Sequence, residues 1–180
     1  MSKLSNRIRQ ARCPFVSAVI VAAGSGTRFG GDKLAADLGG TPVLARTLCA
    51  FQDAALVDEI ILVVRADALE WAGELCRRYH IDKASTIVPG GETRSLSCLA
   101  GVMAASDAAG VIAIHDGARP LVTEEIIRQT VWEAYRCGAA VPAVPVRDTI
   151  KKAAEGVVIE TPDRSGLFVV QTPQCFQRDI

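Results

Sequence analysis

The chain has 180 residues, of which 49% are hydrophobic and only 5% aromatic, a composition that suits one α/β domain with a core of Val, Ile, Leu and Ala. Twenty basic and twenty acidic side chains cancel, so no global charge draws the protein to nucleic acid or to an anionic membrane, and any anion must be bound locally. No run reaches the roughly 20 apolar residues of a membrane span, and six scattered cysteines without a C-x-x-C pair, beside two histidines, argue against a zinc site.

Residues 1–15 read as a basic tail, with Lys3, Arg7, Arg9 and Arg12 but no apolar run long enough for a signal peptide, and a cytoplasmic protein is expected. Five cysteines, at 49, 76, 98, 137 and 175, are expected as small buried hydrophobes in that reducing compartment. From residue 16 to 180 a single domain is expected. It opens with a strand in which Val16, Val19, Ile20 and Val21 are nearly continuous, the pattern of a strand buried on both faces.

That strand runs into Ala22, Ala23, Gly24, Ser25, Gly26, Thr27 and Arg28, with Lys33 close behind. Small residues and glycines let backbone N–H groups approach an anion, and Arg28 and Lys33 bring fixed positive charge to the same place. A dinucleotide fingerprint fails because Phe29 stands where the third glycine belongs, and a Walker loop fails because Lys33 is followed by Leu34. A nucleotide's triphosphate is the expected occupant.

Apolar runs then alternate with 3.6-period stretches to about residue 144, which predicts consecutive βαβ units: a Rossmann-like, mostly parallel sheet with helices on both faces. Thr41 and Pro42 are expected as N-cap and first residue of a helix burying Leu44, Leu48 and Phe51, and residues 59–64 as a strand. Asp67 and Glu70 suggest a capping box, with Leu69, Ala72, Cys76 and Tyr79 on one helix face. A short strand at 85–88 leads to a second glycine loop, residues 89–94, and a helix expected to bury Leu96, Leu99 and Met103. Its N-terminus favours an anion, so this loop can face the first one across the carboxyl edge of the sheet.

The next strand places Asp116 at its carboxyl end, a position suited to a metal ligand, while His115 points the other way into the core. The alternative for Asp116 is a structural ion pair with Arg119 or a turn cap. Thr123, Glu124, Glu125 and Gly138 are start and stop signals of a helix, and residues 139–144 a fifth strand. The texture then changes: residues 146–170 read as a β-hairpin arm turning at Glu155 and Gly156, with a further turn at 163–166 and a short strand at 167–170. Thr172 and Pro173 are expected to start a last helix.

Six stretches in order, A-A-G-S-G-T-R at 22–28, G-G-E-T-R-S-L-S at 90–97, H-D-G-A-R-P at 115–120, P-V-R-D-T at 145–149, D-R-S-G-L at 163–167 and T-P-Q-C-F at 172–176, carry a resemblance to bacterial 2-C-methyl-D-erythritol 4-phosphate cytidylyltransferases over residues 16–180. The resemblance implies a nucleotidyltransferase fold of the GT-A-like kind and Mg²⁺-dependent transfer from CTP to methylerythritol phosphate. It also implies roles by position. Ala22 to Gly26 wrap the triphosphate; Arg28 and Lys33 stabilise charge at the α-phosphorus; Gly91, Glu92, Arg94 and Ser97 hold cytosine and ribose; Asp116 holds the metal; Gly117 and Arg119 make further substrate contacts. Thr149 and Arg164, on the arm, grip the alcohol phosphate of the neighbouring subunit in a homodimer.

Two features depart from the pattern: Val21 stands where many relatives have proline, and the family continues beyond Thr-Pro-Gln with a lysine and an acid for the pocket, so a chain ending at Ile180 is expected to be a shortened or impaired form. The alternatives are ribitol 5-phosphate as the acceptor, a catalytically silent nucleotide-binding or dimerisation module and, more remotely, a nicotinamide oxidoreductase.

Overall fold

The computed structural model describes residues 14–24 and 32–180. Its main sheet has six strands: β1 (Phe15–Ala22), β2 (Glu59–Val64), β3 (Ala84–Pro89), β4 (Ala109–Asp116), β5 (Ala139–Ala140) and β10 (Gln174–Gln177), in the order β3-β2-β1-β4-β10-β5. The first four are parallel and β10 is antiparallel to both of its neighbours. β1 is central and buried on both sides, as its near-continuous apolar sequence requires. Val16, Ala18, Ile20 and Ala22 face the larger core, and Val19 and Val21 the smaller.

Three helices cover the first face: α1 (Val43–Asp53), α2 (Leu69–Arg78) and α4 (Glu124–Cys137). Leu44, Leu48 and Phe51 of α1 are fully buried, each worth about 1.5–3 kcal/mol of transfer free energy. The second face carries α3 (Arg94–Ala104). The α/β architecture with helices on both faces thus follows the sequence pattern.

Several local expectations are corrected. α1 begins at Val43, with Pro42 in the cap place and no side-chain cap, and Thr41 instead offers its carbonyl to Leu38 N–H at 2.9 Å. Asp67 caps nothing: it pairs with Arg65 at 3.0 Å in a 3-10 turn, Ala66–Ala68, that precedes α2. α3 leaves Leu96, Leu99 and Met103 exposed and turns Ser97 and Gly101 to the sheet. The cause is close approach, because a Cβ on Gly101 would stand 2.3 Å from Val19 Cγ1 and 2.8 Å from Val63 Cγ2. Of the five cysteines, Cys76 and Cys175 are buried but Cys137 is exposed.

The largest departures lie at the chain's end. Residues 174–177 form β10, not a helix, since pairing with β4 from Ile114 to Val111 and complete burial of Cys175 outweigh the Pro173 helix-start signal. The expected fifth strand is broken at Pro142. Ala139–Ala140 stays in the main sheet, while β6 (Ala143–Pro145) leaves it to pair with β9 (Phe168–Val170). Beyond that ladder, β7 (Lys152–Ala154) and β8 (Val157–Glu160) form the expected hairpin, closed by Glu155 and Gly156 with φ of 50° and 81°, the left-handed pair a tight hairpin turn needs.

Candidate functional site

The carboxyl ends of β1, β3 and β4 open on one cleft of about 880 Å³, walled by Ala23, Gly24, Lys33, Gly91, Glu92, Arg94, Ser97, Asp116 and Arg119, with Val21, Thr93 and Ala118 beside them. Ala23 and Gly24, which open the first glycine loop, meet the second loop there. Gly90 N–H donates to Val64 O at 2.8 Å, which holds the second loop against the end of β2. A Cβ on Gly90 would stand 2.4 Å from Ala23 Cβ and 2.7 Å from Ser97 Oγ, so glycine is what lets the loops touch. Ser97, buried at the start of α3, accepts from Gly91 N–H at 3.2 Å and donates to Thr93 O at 3.0 Å. Thr93 caps α3 by accepting from Leu96 N–H at 3.2 Å. The N-terminus of an 11-residue helix therefore faces the cleft with its dipole.

Lys33 is exposed on the wall and engages no carboxylate among the described residues. Its place is set by the next residue: Leu34 is buried in the larger core, and its carbonyl accepts from Leu44 N–H at 3.0 Å. Across the cleft, Asp116 lies between two arginines. Arg94 Nε and Nη2 donate to its Oδ1 at 3.2 and 2.8 Å, and Arg119 Nε donates to Oδ2 at 3.0 Å. Burial pushes this carboxyl up, but the hydrogen bonds and charges of Arg94 and Arg119 together outweigh it and hold Asp116 below the ordinary carboxylate range. The ion pair weighed as an alternative for Asp116 is thus present.

A carboxylate has about four lone-pair sites, and the three bonds from Arg94 and Arg119 leave about one of them open on Asp116. No group of three or more His, Cys, Asp or Glu side chains gathers among the described residues. A single carboxylate suits Mg²⁺, which otherwise takes waters and substrate phosphate oxygens, and does not suit structural zinc.

His115 points away from Asp116, as strand alternation requires, and packs on Phe51 with ring centroids 4.9 Å apart. Burial pushes it down to about 4, so the ring is neutral at pH 7.

Not every expected residue reaches the cleft. Ser25, Gly26 and Arg28 lie outside the described residues. Ala22 is in the core beneath the wall. Gly117 is spent on structure: its N–H donates to Val21 O and its carbonyl accepts from Thr47 Oγ1, each at 2.8 Å, and a Cβ there would meet Ala22 at 3.0 Å. Thr149 and Arg164 sit on the exposed arm and line no part of their own cleft, with Arg164 Nη1 donating to Arg147 O at 2.5 Å. Sequence reasoning missed Thr93, legible as a helix cap, and Gln171, whose Oε1 accepts from Arg119 Nη1 at 2.5 Å across 52 residues and carries no local signal.

A family model for 2-C-methyl-D-erythritol 4-phosphate cytidylyltransferase matches residues 16–180. A protein of that name from Dehalococcoides mccartyi is 47% identical over 167 residues, covering 92% of this chain and 73% of the relative. One from Halalkalibacterium halodurans is 46% identical over 162 residues, covering 89% and 71%. The solved 4-diphosphocytidyl-2C-methyl-D-erythritol synthase of Anaerococcus prevotii superposes with a TM-score of 0.80 at 33% identity, covering 92% of this chain and 71% of that one. The Thermus thermophilus cytidylyltransferase gives 0.70 at 32% identity, covering 92% and 71%.

Proposed function

Because the chain belongs to the 2-C-methyl-D-erythritol 4-phosphate cytidylyltransferase family, we propose that it transfers CMP from CTP to 2-C-methyl-D-erythritol 4-phosphate, giving 4-diphosphocytidyl-2-C-methyl-D-erythritol and pyrophosphate in non-mevalonate isoprenoid synthesis. The observation that carries the reading is a cleft that gathers Ala23 and Gly24, the second glycine loop, Lys33, Arg94, Asp116 and Arg119. A phosphate oxygen of the alcohol attacks the α-phosphorus of CTP. The new P–O bond forms as the bond to the bridging oxygen of the β-phosphate breaks, and pyrophosphate leaves with that electron pair.

Little covalent chemistry falls to the protein, whose task is to position two anions and stabilise charge as it develops. Ala23 and Gly24 approach the triphosphate through the backbone, Lys33 with Arg28 stabilises the α-phosphorus, and Gly91, Glu92, Arg94 and Ser97 take the cytosine and ribose side. Arg119 meets the incoming phosphate. Asp116 would hold Mg²⁺, which supplies charge neutralisation between the phosphates.

The arm supports a homodimer. Val144, Val157, Val158, Ile159, Phe168 and Val169 are exposed on it, and two-stranded ladders are marginal alone in water. Thr149 and Arg164 then act at the partner's cleft. A cytoplasmic location matches the supply of CTP.

The test is to incubate the chain with CTP, Mg²⁺ and either methylerythritol phosphate or ribitol 5-phosphate. Pyrophosphate release with the first alcohol is expected. Release with ribitol phosphate alone would move the acceptor, and CTP binding without release would leave a nucleotide-binding module.

A further inference from the structure

His115 is fully buried yet belongs to no step of the proposed chemistry. A buried imidazole is costly unless both nitrogens are hydrogen-bonded, and here both are. Nε2 lies 3.2 Å from Arg119 O, and Nδ1 lies 2.8 Å from Thr172 Oγ1. The Arg119 carbonyl can only accept, so Nε2 carries the proton. Nδ1 then offers its lone pair, and the Thr172 hydroxyl must donate to it. The Thr172 oxygen keeps a lone pair for Asp116 N–H, 3.4 Å away. The result is one directed chain: Asp116 N–H to Thr172, Thr172 to His115, His115 to the Arg119 carbonyl.

This chain joins two parts of the molecule that are distant in sequence, since Asp116, His115 and Arg119 stand on β4 and the loop after it while Thr172 comes from the far end of the fold. Arg119 is on the loop after β4, whereas Thr172 follows Gln171 on the segment running from the arm strand β9 back into β10. Gln171 also accepts from Arg119 Nη1 at 2.5 Å, and its own N–H donates to Pro142 O at 2.8 Å where the arm begins. The second glycine loop and the start of α3 are held by bonds accepted by Val64 O, Ser97 Oγ and Thr93 Oγ1 and by the Arg94–Asp116 ion pair, none of which is made by the His115 side chain.

We infer that His115 is a positioning residue for the phosphorylated-alcohol half of the cleft: it locks the Arg119 loop to the Gln171–Thr172 segment at the root of the arm and so sets where Arg119 meets the incoming phosphate. This rests on the cytidylyltransferase reading above. Of the nucleotide half only Asp116 touches this chain, through its backbone N–H at 3.4 Å, while its carboxylate is held by Arg94 and Arg119, so loss of His115 acts mainly on the alcohol.

The experiment compares the intact chain with His115→Phe, which keeps the packing on Phe51 and removes both hydrogen bonds, and with His115→Gln, whose amide nitrogen can reach the Arg119 carbonyl from the place of Nε2. Steady-state KM is measured for each substrate, with thermal melting as the fold control and calorimetry of Mg·CTP as a measurement that needs no turnover. His115→Phe should raise KM for methylerythritol phosphate about tenfold, the worth of one to two net hydrogen bonds, and leave KM and calorimetric affinity for CTP within twofold. His115→Gln should fall between the two. Equal changes in both KM values, or none, with the fold intact overturn the role of His115, and so does a Phe variant that has lost CTP binding. A wild-type chain that turns over no methylerythritol phosphate overturns the parent reading and this one with it.

Discussion

Gly90 lies against Ala23 at the start of the first glycine loop, and Gly90→Ala tests whether that contact shapes the nucleotide site. The added Cβ lies 2.4 Å from Ala23 Cβ and 2.7 Å from Ser97 Oγ. Carbon atoms prefer about 3.5–4.0 Å, so the loops must part by roughly 1 Å. Displacing Ser97 also loosens its bonds to Gly91 N–H and Thr93 O. Overpacking of this kind costs about 1–3 kcal/mol, offset by about 0.4–1 kcal/mol because alanine narrows the unfolded ensemble. The net, about 1.5 kcal/mol, lowers Tm by about 3–6 °C in a chain of this size. CTP affinity should fall as well, because Ala23 and Ser97 wall the cleft, and turnover should suffer most, on the order of a hundredfold for a 1 Å misplacement.

The assay pairs thermal melting with calorimetry of Mg·CTP. Gly73→Ala is the control: its Cβ would make only an ordinary 3.6 Å contact with Arg77 Nη1 within α2. It should raise Tm by about 2–4 °C through helix propensity and leave CTP binding unchanged. A Gly90→Ala chain that melts with wild type and binds CTP within twofold refutes the reasoning.

Lys33→Ala should lower kcat at least about a hundredfold with a smaller effect on CTP binding, because a charged donor at a developing charge is worth several kcal/mol; near-normal turnover would remove Lys33 from the site. Asp116→Asn should abolish the Mg²⁺ dependence of CTP binding, an amide being a poor ligand for a hard cation, whereas unchanged Mg·CTP affinity by calorimetry would leave Asp116 as only the ion-pair partner of Arg94 and Arg119. Mixing Arg164→Ala chains with Lys33→Ala chains should restore one working site per heterodimer; heterodimers no more active than either parent would place Arg164 outside the partner's cleft.

What the sequence made legible was whatever is written locally. The apolar run 16–21, the two glycine loops and the carboxyl-end Asp116 are local patterns, and the structure brings Ala23, Gly24, Lys33, Gly91, Arg94 and Asp116 to one cleft. Strand alternation likewise sent His115 and Asp116 to opposite faces. The misreadings arise where distant partners override a local signal. Pro173 looks like a helix start until β4 and β5 offer residues 174–177 a slot between them. Leu96, Leu99 and Met103 look like a core stripe until Gly101 lets the other side of α3 settle on Val19 and Val63. Gln171 and Thr172 become neighbours of Arg119 and His115 only because the chain returns from the arm, across 52 and 57 residues that no window of sequence spans.

The most direct test of the account is to follow the α-phosphorus. With CTP labelled at the α-phosphate, Mg²⁺ and methylerythritol phosphate, the label should appear in the diphosphocytidyl alcohol, while label placed at the γ-phosphate should leave entirely as pyrophosphate. Transfer of the γ-label to the alcohol, or release of the α-label as free CMP with the alcohol unchanged, would contradict it.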